Sequence, residues 1–316
     1  VYWSQQGYGL SFEDDKIRMV MSQIDGSCDL YEEDSDYSSI ELIDGLCFMS
    51  IDFESVEWKD HEVEVPQGKI RVREYYSSSI NSNAGLMFYH GGGFVIGNIE
   101  THHDLTSYLC NKLESKVFSV EYRLSPENKF PIPLDDSFKA YEWAVASSEK
   151  LGIDPGKISV AGDSCGGNIA ASVCIRSRKE VVQCPKAQLL LYPWTDLEMK
   201  SDSIESLNEG FSLTKPILEW FRKHYLNDLS EASLATASPL LEKDLNNLPP
   251  AHIFTAGFDP LRDEGKKYSE KLLEAGNQVT YKEYSEFIHL FANMQFIPGV
   301  KESIDEICEG FKQIMN

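Results

Sequence analysis

Apolar side chains recur along this chain with two different periods. Ile17, Val20, Met21 and Ile24 repeat every three or four positions, and so do Leu42, Ile43, Leu46 and Met49. Each run follows a capping pair, Ser11 with Asp14 and Ser38 with Glu41, so residues 1–55 predict two amphipathic helices. The acidic stretch 32–36 between them reads as a solvated loop. Strand-like segments at 56–65 and 69–76 flank Pro66-Gln67-Gly68 and predict a hairpin. Short apolar runs at 85–89, 117–120, 158–161, 189–192, 252–256 and 279–284 then predict strands. Helical patterns separate them at 101–115, 134–147, 168–179 and 264–275. A last helix carries Val300, Ile304, Ile307, Cys308, Phe311 and Ile314 on one face. Strands alternating with helices predict an α/β fold, a mostly parallel sheet covered on both faces. The alternation lapses at 195–248, where the helical stretches include 215–225 and no strand-like run appears.

Charge narrows the classes of partner. The 316 residues include 51 acidic and 29 basic side chains, a net charge of −22 with histidine neutral. Such a surface repels nucleic-acid phosphates and anionic lipid headgroups, so neither nucleic acid nor membrane is expected as a partner. The seven cysteines, Cys28, Cys47, Cys110, Cys165, Cys174, Cys184 and Cys308, are odd in number and scattered, with no Cys-x-x-Cys pair. That predicts neither a disulfide framework nor a zinc site, and fits a reducing, cytoplasmic setting. No apolar run approaches the roughly 18 residues needed to span a bilayer. The chain opens on Val1, which leaves a removed leader open.

Gly162-Asp163-Ser164-Cys165-Gly166 matches G-x-S-x-G, a pattern expected by chance on the order of 0.1 times in a chain this long. A strand-like run precedes it and a helical one follows. On such a turn the serine is forced outward, so Ser164 is the candidate nucleophile. His90-Gly91-Gly92-Gly93 follows another strand-like run, and consecutive glycines can aim backbone N–H groups at a ligand. This matches an oxyanion loop, with the Cys165 amide as the remaining donor and His90 as a structural anchor. No Gly-Lys-Ser/Thr follows to suggest a phosphate cradle.

In the chain order Ser, acid, His, three histidines lie beyond Ser164: His224, His252 and His289. His289 stands just past the last strand and is the candidate base. The first two read as structural. Asp259 follows a strand and is the candidate acid, while nearby Asp263 reads as a helix N-cap. His102-His103-Asp104 reads as a helix-start cap. Neither a metal nor a cofactor is expected. The Cys165 side chain should turn away from the pocket and pack. Tyr192, Trp194 and Phe211 are equally candidates for pocket wall and for plain core.

With these motifs in place, the chain resembles the hormone-sensitive lipase family of α/β-hydrolases, which includes bacterial esterases and plant carboxylesterases. The resemblance rests on 90–93 and 162–167, on Tyr122-Arg123-Leu124-Ser125-Pro126-Glu127 leading to Phe130-Pro131, and on Asp259-Pro260-Leu261-Arg262-Asp263. It implies an eight-stranded, mostly parallel sheet with helices on both faces and a helical cap. Residues 1–55 would form one cap segment, and 56–316 the catalytic domain with a cap insertion at about 195–248. It implies a Ser164, Asp259, His289 triad and an oxyanion hole of the Gly92, Gly93 and Cys165 amides. The implied activity is hydrolysis of short-chain acyl esters, small soluble molecules, through an acyl-enzyme. Two rivals stay open: an amidase or deacetylase on the same triad, and a ligand receptor on a catalytically dead hydrolase fold. Retention of His289 argues against the second. The oligomeric state is open, a homodimer among the options. Two positions depart from the family: Cys165 stands where alanine is frequent, and Leu290 follows His289 where glycine is usual.

Overall fold

A computed structural model describes residues 56–315. The two expected N-terminal helices, with Cys28 and Cys47, lie outside the described residues. Strands β1 (Glu57–Val65) and β2 (Gly68–Tyr76) form the expected antiparallel hairpin, paired from Glu57–Tyr76 to Val65–Gly68. They are followed by β3 (Gly85–Tyr89), α1 (His103–Leu113), β4 (Lys116–Glu121), α2 (Ile132–Ala146) and the short α3 (Ser148–Leu151). Next come β5 (Ile158–Asp163), α4 (Cys165–Lys179) and β6 (Gln188–Leu191). Helices α5 (Asp202–Ser206) and α6 (Lys215–Tyr225) with two 3₁₀ turns occupy the interval before β7 (Ala251–Phe258). The chain closes with α7 (Arg262–Glu274), β8 (Val279–Ile288) and α8 (Val300–Met315).

The eight strands form one sheet in the order β1-β2-β4-β3-β5-β6-β7-β8. β2 runs antiparallel to β4, and every pairing from β4 to β8 is parallel. The central strands β3, β5 and β6 are buried at every position because both of their faces are covered. In β3, Met87 and Tyr89 join one core and Leu86 and Phe88 the other. The first core packs under α2, α4 and α7 through Phe138, Ile169 and Tyr268. The second packs under α1 and α8 through Leu105, Leu109, Ile304, Ile307 and Phe311.

Most boundaries shift by one to four residues from the sequence reading, and three of the differences bear on the site. Helix α4 begins at Cys165, three residues before the expected 168. Glycines at 166 and 167 weaken a helical pattern, yet they are needed in this first turn: a Cβ on Gly166 would lie 1.9 Å from the Tyr89 carbonyl oxygen. Strand β8 runs on to Ile288, because Ser285 and Glu286 are exposed and broke the apolar run. Helix α7 begins at Arg262, so Asp263 lies inside its first turn and is not the N-cap. Asp259 opens that turn instead: Oδ1 accepts from the Leu261 amide at 2.8 Å, and its carbonyl accepts from the Arg262 amide at 3.0 Å.

Candidate active site

Ser164 directly follows β5, Asp259 follows β7 and His289 follows β8. All three therefore stand at the carboxyl ends of parallel strands, where α/β sheets place ligands. The turn at Ser164 is tight, with φ 56° and ψ −122°. A non-glycine residue there carries about 1–3 kcal/mol of strain, held by surrounding bonds. Its amide donates to Leu191 O at 2.9 Å, and its carbonyl accepts from the Gly167 and Trp194 amides at 3.0 Å each.

His289 Nε2 lies 2.9 Å from Ser164 Oγ, and His289 Nδ1 lies 2.8 Å from Asp259 Oδ2. A carboxylate can only accept, so Nδ1 carries the hydrogen and Nε2 is left to accept from the serine hydroxyl. Asp259 is fully buried and His289 and Ser164 nearly so. Leu290 adopts φ 69°, the left-handed region that glycine favours, so the position suits the family's glycine and leucine holds it against its own backbone preference.

The loop expected to supply the oxyanion donors follows β3. Gly92 has φ 116° and Gly93 φ 59°. Neither tolerates a side chain: a Cβ on Gly92 would lie 2.0 Å from Ile96 O, and one on Gly93 2.2 Å from the Phe221 ring. The loop turns back as the Val95 and Ile96 amides donate to Gly92 O at 3.0 and 2.9 Å. Cys165 is the first residue of α4, so its amide has no acceptor within the helix and lies where the helix dipole favours negative charge.

His90 anchors this loop. Its Nδ1 is 2.7 Å from Gly91 O, Tyr122 donates to its carbonyl at 2.7 Å, and the Tyr122 ring stacks on the imidazole at 4.3 Å. Burial, with His102 nearby, pushes the His90 pKa down to about 3. The ring is therefore neutral and unsuited to act as a base at ordinary pH. The Cys165 thiol turns away from Ser164 and accepts from the Phe94 amide at 3.2 Å, with burial pushing its pKa up to about 12. Tyr192 and Trp194 are both fully buried. Tyr192 meets the His289 ring edge-on at 4.9 Å, and Phe211 stacks on Phe258 at 5.3 Å.

His102 does occupy the N-cap position of α1, but its side chain makes no capping bond, contrary to the reading of 102–104. Its Nε2 faces the buried Asp163 carboxylate at 3.2 Å. The sequence reading assigned nothing to Asp163. The available signal was an acidic residue at the end of an otherwise apolar strand. It also missed Phe221 over Gly93 and Ser212, whose Oγ donates to His289 O at 3.0 Å. Both come from the 195–248 interval, whose contacts are set by packing between distant segments. Among the described residues, no group of three or more His, Cys, Asp or Glu side chains gathers as a metal site, and no helix is long and apolar enough to cross a membrane.

Comparison with known proteins agrees with this geometry. The α/β-hydrolase fold family matches residues 86–293. The carboxylic ester hydrolase LipN of Mycobacterium tuberculosis is 38% identical over 250 residues, covering 77% of this chain and 66% of that protein. An arylesterase of Saccharolobus solfataricus is 35% identical over 221 residues, covering 70% of this chain and 72% of its own. Among solved structures, the thermophilic carboxylesterase EstE1, cloned from a metagenomic library, superposes with a TM-score of 0.81 at 32% identity, covering 97% of this chain and 100% of that one. With an eight-stranded sheet in this order and these relatives, the chain belongs to the α/β-hydrolase family, in its hormone-sensitive-lipase-like branch of carboxylic ester hydrolases.

Proposed function

We propose that this protein hydrolyses short-chain carboxylic esters through an acyl-enzyme on Ser164. His289 takes the hydroxyl proton as Oγ bonds to the ester carbonyl carbon, and returns it to the departing alkoxide. Water then attacks the acyl carbonyl carbon as His289 takes its proton; the acyl–Oγ bond breaks, the carboxylic acid leaves, and His289 returns the proton to Ser164 Oγ. Asp259 holds the Nδ1–H tautomer and stabilises the imidazolium. The amides of Gly92, Gly93 and Cys165 receive the developing oxyanion. The observation that carries this reading is the continuous chain of contacts, Ser164 Oγ to His289 Nε2 to Asp259 Oδ2, at 2.9 and 2.8 Å.

In the same reading, residues 56–316 are the catalytic domain, and 1–55 with the 195–248 insertion are its cap. The contacts of Phe221 with Gly93 and of Ser212 with His289 support the insertion in that role. Small soluble esters are the substrate class, consistent with relatives named as carboxylic ester hydrolase and arylesterase. The free thiols of Cys110, Cys165, Cys174, Cys184 and Cys308 fit a reducing, cytoplasmic setting.

The test is a panel of nitrophenyl esters of rising acyl length beside nitroanilides, run on the native chain and on Ser164→Ala and His289→Ala. Ester turnover should fall about 10⁴-fold or more in each variant, because the residues act as a unit. Most of the activity surviving in His289→Ala would remove the base assignment. Faster turnover of the anilides would favour an amidase, and binding without turnover a receptor.

A further inference from the structure

The two neighbours of Ser164 hold the oxyanion loop at its two ends. On one side the Gly91 amide donates to Asp163 Oδ1 at 2.7 Å. On the other the Phe94 amide donates to Cys165 Sγ at 3.2 Å. Gly92 and Gly93, whose amides are assigned to the oxyanion, lie between these clips. The fit at the Asp163 end is close: a Cβ on Gly91 would lie 2.5 Å from Asp163 Oδ2.

Asp163 is itself fully buried and tied to two further elements. His102 Nε2 lies 3.2 Å from Oδ1, and Asn293 Nδ2 donates to Oδ2 at 3.4 Å. His102 is the N-cap residue of α1, and Asn293 sits in the 3₁₀ turn just after His289. One carboxylate thus contacts the oxyanion loop and the base loop, from the position next to the nucleophile. Burial alone would raise its pKa, but His102 and the Gly91 amide outweigh that and hold it below the ordinary carboxylate range. It remains an ionised acceptor, and bonds to ionised acceptors are roughly twice as strong as neutral ones.

We propose that Asp163 is a positioning residue for ester hydrolysis, fixing the Gly91–Phe94 loop so that the Gly92 and Gly93 amides are aimed before the oxyanion forms. This inference rests on the Ser164 mechanism proposed above. A donor must be placed within tenths of an ångström of the charge that develops to be worth its full effect. Loosening the Gly91 clip should therefore weaken transition-state binding and leave ground-state binding nearly unchanged.

The experiment compares Asp163→Asn and Asp163→Ala with the native chain. It reads kcat and KM on a soluble nitrophenyl ester, and affinity for a trifluoromethyl ketone, whose adduct with a serine carries the oxyanion. Asp163→Asn keeps a weaker, neutral acceptor for Gly91 and should lose ~3–10-fold in kcat; Asp163→Ala should lose ~30–300-fold. KM should change by less than about threefold in both, and ketone affinity should fall in step with kcat. If Asp163→Ala does not fold, Asp163→Asn decides alone. Native kcat and ketone affinity in Asp163→Asn would overturn the proposal. So would a kcat loss with unchanged ketone affinity, or a folded Asp163→Asn that is no better than Asp163→Ala. Ser164→Ala in the same panel separates the two readings. Retained hydrolysis there defeats the triad itself, whereas an inactive Ser164→Ala with unmoved Asp163 variants defeats only this inference.

Discussion

Gly93 concentrates the constraints on this site into one residue. Its φ of 59° disfavours a side chain, and a Cβ would overlap the Phe221 ring. Gly93→Ala should lower kcat by about 10²-fold or more, since in the proposed mechanism it displaces one oxyanion donor. Steady-state kinetics would check this, and an unchanged kcat would remove Gly93 from the hole. Glu264 poses a different problem. Its Oε1 accepts from the Thr195 and Asp196 amides at 2.6 and 2.9 Å, while Oε2 is buried with no hydrogen-bond partner among the described residues. Burial, with Asp196 adding to it, raises its pKa well above the ordinary carboxyl range. The folded chain therefore keeps a proton there that the unfolded chain gives up near pH ~4.3. Stability from this group is fully present below that pH and declines as pH rises toward the folded-state pKa. Glu264→Gln keeps an acceptor and cannot ionise, so its Tm should fall less than the native Tm between about pH 6 and about pH 9. Parallel Tm curves for the two proteins would refute it.

At the scale of elements, α6 connects the insertion to the chemistry. Its capping by Thr214, which accepts from the Ile217 amide, starts a helix with Leu218, Phe221 and Tyr225 buried along one face. Tyr225 stacks on Phe94 at 3.8 Å, so the helix seats on the residue that closes the oxyanion loop. Phe221 then stands against Gly93 as a wall beside the hole. Phe221→Ala should open space there and move the preferred acyl chain to longer lengths. It should also cost about 3 kcal/mol of stability, the usual order for deleting a buried ring. An acyl-length profile together with denaturant unfolding tests both parts. A lower stability with an unmoved profile would make Phe221 a packing residue only.

The whole molecule sets the kind of ester that reaches Ser164. A net charge of −22 repels anionic lipid surfaces, and the nearly complete burial of Ser164, Asp259 and His289 would place the proposed reaction inside the structure. Such sites enclose most of a small ligand. We therefore expect kcat/KM to be greatest for short acyl chains, roughly two to eight carbons being the range the family resemblance implies, with no jump in rate above the substrate's solubility limit. Measuring rates across that limit tests this. A maximum on emulsified long-chain triglycerides would mark a lipase.

Much of the architecture was legible because local patterns and global fold agree. Strand-like segments around a turn and short apolar runs placed all eight strands, and motif context singled out Ser164, Asp259 and His289 as candidates that packing then brings within hydrogen-bonding distance. What stayed hidden depends on contacts between segments far apart in sequence. Glycine at 166 hid the start of α4, since the need for it comes from the Tyr89 carbonyl, 77 positions away by 166 − 89. Asp163 gave no sign of gathering Gly91, His102 and Asn293, and nothing near Phe221 announced Gly93. By itself the sequence determined which stretches become strands and helices, and which residue types stand at their ends. Only the tertiary structure decided which side chains meet there, because those meetings follow from the order of strands in the sheet and not from spacing along the chain.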